Sequence, residues 1–305
     1  MAAQNSTYSL KLNTGASIPQ VGFGTWRSTE EDGYNAVLSA LKDGYRHIDS
    51  AAVYGNEVAV GRAIRDSEVP RNELFITTKL WNTQHREPAK ALDQSLQRLG
   101  LDYVDLYLIH WPLPLKTDRI KDDNLFSVPT KEDGKPDVDT EWDYLKTWHL
   151  MQKLPETGKT KAVGVSNVSV AQLQALINHK DTTVVPATNQ VEVHPLLPQE
   201  ALYDFCKQNN IAMEAYSPLG SQGSPVADEP VIKEVAQKYN VDAAQILISW
   251  AVARGYVVLP KSVTPSRIKS NFQVVKLSAD DVVKINSIHK QKGEQRINDP
   301  EWFDF

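Results

Sequence analysis

The sequence predicts an α/β fold: a closed (β/α)8 or TIM barrel with an N-terminal β-hairpin and extended loops at its carboxyl face. Three observations carry this. Eight short apolar runs alternate with helical patterns along the chain. Three of those runs end in a polar residue, Asp49, Lys79 and His110, at separations of 30 and 31 residues. About thirty residues is one strand, one helix and two turns. The length, 305 residues, suits one barrel domain spanning 1–305.

In chain order, residues 8–12 and 16–18 flank the turn Asn13-Thr14-Gly15 and read as the hairpin. Strands are predicted at 21–24, 47–49, 75–79, 104–110, 162–165, 188–192, 211–216 and 257–260. Between them, Ala89, Leu92, Leu96 and Leu99 repeat at helical spacing, as do Leu173, Leu176 and Ile177. Asp102, Lys161 and Arg254 fall in the expected connectors. Residues 113–140 form a long, charged, Pro- and Gly-punctuated segment after His110, and 218–229 a second one after Tyr216. Loops as long as the first are usually functional lids or disordered. The tail, 291–305, is polar and then aromatic, and is placed to reach the carboxyl face. A doubly wound open sheet is the alternative. Gly22 and Gly24 lack the third glycine and the helix start of a dinucleotide fingerprint, so it is the weaker reading.

Composition narrows the function classes. Charge is balanced, 33 basic against 38 acidic residues, so neither nucleic acid nor a membrane surface is the expected partner. The single cysteine, Cys206, rules out an intrachain disulfide and points to a reducing compartment. Residues 1–12 carry no apolar core of signal-peptide length, so a cytoplasmic location is expected. The seven histidines are scattered without ligand spacing, and no metal is expected. That disfavours a metal-dependent barrel hydrolase. His194, before Pro195, reads as a loop-shaping residue.

Parallel βα units place Asp49, Lys79 and His110 at the same end of neighbouring strands, with Tyr54 in the loop above Asp49. Barrels keep their chemistry at that face. A free tyrosine has a pKa of about 10 and is a poor acid at neutral pH. A lysine cation beside it should lower that value, and an aspartate beside the lysine keeps the ammonium charged. The imidazole can orient a carbonyl. The four suit protonation of an oxygen as it becomes negative. They contain no hydride donor, so a redox reaction needs a bound cofactor.

The run Gly44-Tyr45-Arg46-His47-Ile48-Asp49-Ser50-Ala51-Ala52-Val53-Tyr54-Gly55-Asn56-Glu57 resembles the aldo-keto reductase signature. Further matches are Thr78-Lys79-Leu80-Trp81, His110-Trp111-Pro112, Gly164-Val165-Ser166-Asn167, Asn189-Gln190-Val191-Glu192 and the stretch from Pro260-Lys261-Ser262 to Asn271. They fall in family order from about residue 8 to residue 290. The overall flavour is similar to fungal NADPH-dependent carbonyl reductases and glycerol dehydrogenases. Xylose reductases, near relatives, usually carry phenylalanine where this chain has Trp111.

The resemblance implies an NADPH-dependent oxidoreductase that reduces aldehydes and ketones. Tyr54 is the implied proton donor, Lys79 and Asp49 its tuners, and His110 the carbonyl-orienting group. Ser166, Asn167 and Gln190 would hold the nicotinamide carboxamide, and Tyr216 would stack on its ring. Ser217, Leu219 and Ser221 would line the pyrophosphate channel, with Thr25 and Asp49 also near the cofactor. Lys261, Ser262 and Arg267 suit a 2′-phosphate at a helix start, and Asn271 the adenine edge. Trp26, Trp81 and Trp111, with Tyr54 and His110, are the expected substrate wall, joined by Trp302 and Phe303 from the tail. Trp142, Trp148 and Trp250 read as packing residues on helices. Many relatives strap the cofactor down with an aspartate after the Tyr216 segment; Asp228 is the candidate, at an unmatched offset. A small carbonyl substrate and a monomer or weak homodimer are expected. The alternatives are a polyol or secondary-alcohol dehydrogenase running in reverse, and a non-enzymatic NADPH-binding scaffold, against which the intact quartet weighs.

Overall fold

Eight parallel strands close on themselves. The computed structural model describes residues 2–120, 123–221, 225–303 and 305. Residues 121 and 122 of the first long loop and 222–224 of the second lie outside them. The barrel strands are Phe23–Gly24, His47–Asp49, Phe75–Leu80, Val104–Ile109, Thr160–Ser166, Thr188–Glu192, Ala212–Tyr216 and Val257–Leu259, each paired with its neighbour in sequence. The first and last meet at a parallel bridge, Val21 to Val258. Three backbone bonds seal it: Gly22 N–H to Val258 O, Val258 N–H to Gln20 O, and Gly24 N–H to Pro260 O. An open sheet is thereby excluded.

Alternation along the strands sorts the side chains. Phe75, Leu106, Leu108, Ala162, Val257 and Leu259 form the inner apolar cluster, which Leu12 and Ile18 of the hairpin join. The hairpin strands Ser9–Lys11 and Ser17–Pro19 pair antiparallel with Leu10 opposite Ile18. Tyr107, Ile109, Val163 and Val165 belong instead to the layer between sheet and helices. Both faces are thus covered, which is why the strands read as apolar runs.

The helices follow ordinary end rules. Pro88–Leu99 opens with proline in its first turn and stops at Gly100, left-handed at φ 64, whose N–H bonds back to Gln97 and Leu96. Its buried stripe contains Ala91, Leu92, Ser95, Leu96 and Leu99, while Ala89, expected in that stripe, is exposed. Pro88, three residues before Ala91, holds the buried place at the helix start instead. Gly61 lies against this helix: a Cβ there would come within 2.0 Å of Leu99 O. Only glycine permits that approach. Lys161, expected in a connector, lies in the fifth strand and pairs with Asp105. Trp148 and Trp250 are buried on helices Tyr144–Met151 and Ala243–Ala253. Trp142 precedes its helix and donates from Nε1 to Thr147 Oγ1.

Candidate active site

The carboxyl ends of the second, third and fourth strands bring the quartet together. Lys79 Nζ, fully buried, lies 2.7 and 2.9 Å from the two oxygens of Asp49. It also donates to Ser50 O at 2.9 Å and reaches Tyr54 Oη at 3.4 Å. Tyr54 ends a short 3-10 turn, Ala52–Tyr54, closed by Gly55 at φ 70. That turn swings the phenol back over the strand end. The Tyr54 and His110 rings meet edge to face, centroids 5.7 Å apart.

The electrostatics differ in one respect from the sequence expectation. Burial pushes the Tyr54 phenol above its ordinary 10; the Lys79 cation pulls the other way without overcoming it. Lys79 was expected to bring the phenol below that value, and in the chain alone desolvation wins. Burial also opposes charge on Lys79, yet Asp49, with Tyr54 and Glu214 adding, outweighs it and raises the ammonium above 10.5. Lys79 is therefore a fixed cation. Burial, with Lys79 adding, holds His110 well below 6.5, so the imidazole is neutral near pH 7. Its Nδ1 is buried without a partner among the described residues.

The fifth, sixth and seventh strands supply a linked set of polar groups. Ser166 Oγ donates to Gln190 O at 2.7 Å, and Asn167 Nδ2 to His110 O at 3.0 Å. Tyr216 Oη donates to Asn167 Oδ1 at 2.8 Å, which fixes its ring. Gln190 Nε2 donates to Asp49 Oδ1 at 2.8 Å and to Glu214 Oε2 at 3.3 Å. Thr25 Oγ1 donates to Asp49 O, and Asn56 Nδ2 to Thr25 O, tying the first loop to the quartet.

The proposed phosphate-binding residues lie on the neighbouring loops. Ser217, Leu219 and Ser221 follow the seventh strand; Lys261 and Ser262 follow the eighth and precede helix Pro265–Phe272. Arg267 on that helix is exposed and Asn271 buried. Burial lowers the Lys261 pKa, with the nearby Arg27 cation acting in the same sense against Asp32. Four non-glycine residues beside these segments have left-handed backbones: Arg27, Asn167, Ser217 and Ser221, at φ 56, 60, 49 and 58. Such strain collects where ligands are held. Asp228 pairs with Lys233 at 2.8 Å, both exposed.

The aromatic wall is contributed by distant segments. Trp81 packs against His110, and Trp111 stacks beside it. Trp302 meets both indoles at 5.9 and 4.9 Å, and Phe303 and Phe305 lie against Trp111. Trp26 is not among these packed rings: it is 39% exposed, with the Arg27 guanidinium 4.3 Å from its centroid. A separate groove of about 640 Å³ lies within the long loop, between Arg119, Val128 and Lys131, away from the quartet.

Two carboxylates escaped the sequence reading. Glu192, fully buried, accepts from the N–H groups of Ile297 and Asn298 at 2.8 and 2.9 Å and pairs with His194 at 2.8 Å. Asn298 Nδ2 in turn donates to Ser217 Oγ at 2.7 Å. Glu192 thereby seats the aromatic tail. Glu214 lies inside the barrel beside Gln190. The available signal was an acidic residue inside an otherwise apolar strand run.

A closed barrel with a buried Asp–Lys–Tyr–His quartet at its carboxyl mouth has the layout of a barrel enzyme, with its polar groups at the face where such folds keep their chemistry. Comparison gives the family. The profile of the Aldo/keto reductase family matches residues 20–290. An aldehyde reductase of Saccharomyces cerevisiae is 58% identical over 303 residues, 99% of this chain and 97% of that protein. A glycerol 2-dehydrogenase (NADP(+)) of the same yeast is 60% identical over 302 residues, with the same coverage. The crystal structure of an aldo/keto reductase from Brucella melitensis matches with a TM-score of 0.79 at 40% identity, covering 93% of this chain and 98% of its own. The chain belongs to the aldo/keto reductase family and is an oxidoreductase.

Proposed function

We propose that this chain reduces aldehydes and ketones with NADPH, and that Tyr54 donates the proton. The observation that carries the reading is the buried line Tyr54–Lys79–Asp49 beside the neutral His110. Relatives named aldehyde reductase and glycerol 2-dehydrogenase (NADP(+)) support the substrate class and the cofactor.

The cofactor, when bound, supplies the hydride. Ser166, Asn167 and Gln190 would hold its carboxamide, Tyr216 its ring, and Ser217, Leu219 and Ser221 its pyrophosphate. Lys261, Ser262 and Arg267 would hold a 2′-phosphate, and Asn271 the adenine, with Thr25 and Asp49 close by. The left-handed backbones at Asn167, Ser217 and Ser221 fit that assignment. Neutral His110 donates a hydrogen bond to the carbonyl oxygen and fixes its approach. As negative charge grows on that oxygen, Tyr54 Oη gives up its proton, and the fixed Lys79 cation stabilises the phenolate left behind. Asp49 keeps Lys79 charged throughout.

Trp26, Trp81 and Trp111 form the substrate wall in this reading. The relative named as a glycerol dehydrogenase favours a second direction, oxidation of small polyols or secondary alcohols. A monomer or weak homodimer accords with exposed apolar side chains, Tyr8, Val58, Leu125 and Val283, spread over separate elements. Loss of NADPH absorbance with a panel of aldehydes, ketones and aldoses tests the proposal, with polyols and NADP(+) for the reverse. Cofactor binding without turnover on any of them would leave only the scaffold alternative.

A further inference from the structure

Glu214 is buried and titratable, and the proton-transfer steps above make no use of it. It lies on the seventh strand, fully buried, two residues before Tyr216 and in register with Gln190 on the sixth. Its Oε2 accepts from Gln190 Nε2 at 3.3 Å, while Oε1 is buried without a hydrogen-bond partner among the described residues. The same nitrogen donates to Asp49 Oδ1 at 2.8 Å. An amide nitrogen has two hydrogens, and two carboxylates take them both. The carbonyl end of Gln190 is then the end that faces a ligand.

We propose that Glu214 is a positioning residue: with Asp49 it fixes the orientation of the Gln190 amide, so that Oε1 is presented as an acceptor to the cofactor's carboxamide NH2. The inference rests on the proposed nicotinamide site. Ionised Glu214 can only accept, which locks the amide. Protonated Glu214 gains an O–H donor and can bond the carbonyl end instead, so the amide loses its single orientation. Burial pushes Glu214 up to about 7, and the Asp49 carboxylate adds to the rise; Thr188, Lys79 and Gln190 act the other way. These groups face it from the second, third and sixth strands, and its neighbour on the eighth is the apolar Val257. The sign follows. Cofactor binding favours the ionised carboxylate, so affinity is full above pH 7 and declines as the pH falls through that value.

Equilibrium titration of the full chain with NADH, followed by tryptophan fluorescence, is the test. NADH lacks the 2′-phosphate, whose own titration near pH 6 would add a slope. In the wild type the dissociation constant should rise between about pH 8 and pH 6, by at most roughly tenfold per pH unit. Glu214→Gln keeps the shape and cannot titrate, so its slope should be lost, with affinity at the higher pH lowered several-fold. A merely structural role would shift the melting temperature and leave the slope in place. If Glu214→Gln does not fold, Glu214→Thr, an uncharged acceptor, gives the same reading. A wild type without the slope, or a variant that retains it, overturns the inference while leaving the proposed function standing. Wild-type protein that binds neither NADH nor NADPH overturns both.

Discussion

Two aspartate–cation clusters occupy opposite ends of this barrel, and they do different things with the same chemistry. At the amino end of the fourth strand, Asp105 accepts from Arg71, Lys161 and the Ile76 N–H at 2.8, 2.8 and 2.9 Å. Its cations reach water, Lys161 with half of its side chain exposed, and both lie against the Tyr103 ring. Arg71 also donates to Leu74 O and Tyr103 O, and its Nε alone in this cluster is buried without a partner among the described residues. At the carboxyl end, Asp49 and Lys79 are buried, with 5% and 0% of their side chains exposed. Around them stand groups without a hydrogen-bond partner among the described residues: His110 Nδ1, Ser50 Oγ and Glu214 Oε1. The carboxyl end is set apart by a cation cut off from water and by several unmet polar groups where the amino end has one. The charge alone does not distinguish the two ends.

The sharpest way to break the comparison is Tyr54→Phe. It should retain cofactor binding and lose reduction by on the order of a hundredfold or more, because one donor to a developing oxyanion is removed. Steady-state turnover within about threefold of wild type would falsify the assignment. Lys79→Met should be nearly as damaging to rate. It should also destabilise the fold by about 3–5 kcal/mol, since Asp49 is left buried and unpaired. Denaturant unfolding and kcat are measured together, and a variant with normal kcat would put Lys79 in the structural class with Arg71.

Arg267→Ala tests the cofactor half of the site. NADPH binding should weaken by roughly ten- to a hundredfold, and NADH binding little, if a charge-assisted bond to the 2′-phosphate is lost. Equal losses for the two cofactors would remove Arg267 from that role. Asp105→Asn is the mirror experiment at the amino end. It should cost about 1–3 kcal/mol of stability, the penalty of leaving buried partners unmet. Its kcat should stay at the wild-type value, and a drop in rate without a drop in stability would erase the contrast between the two ends. The smallest effect is expected from Trp26→Ala. It should reorder kcat/KM across bulky and small carbonyls with NADPH affinity nearly unchanged. A preserved ranking would leave the wall to Trp81, Trp111 and the tail.

What the sequence determined by itself is local and periodic. Strand ends at Asp49, Lys79 and His110 were legible because a polar residue terminating an apolar run is a pattern within a few residues. Their spacing then implied a common face. Which of Leu106, Tyr107 and Leu108 faces the barrel interior was not legible, because a strand covered on both faces is apolar throughout; the closed sheet put the two leucines inside. The tertiary structure decided whatever depends on partners far apart in the chain. Barrel closure joins Val21 to Val258, and the tail is seated by Glu192 through residues a hundred positions away. Glu214 meets Gln190 only because their strands pair in register. The balance at Tyr54 belongs here too: the sequence shows that a lysine is near, but how much water the fold removes decides which way the phenol shifts. Desolvation and pairing are sums over neighbours, and neighbours are what folding supplies.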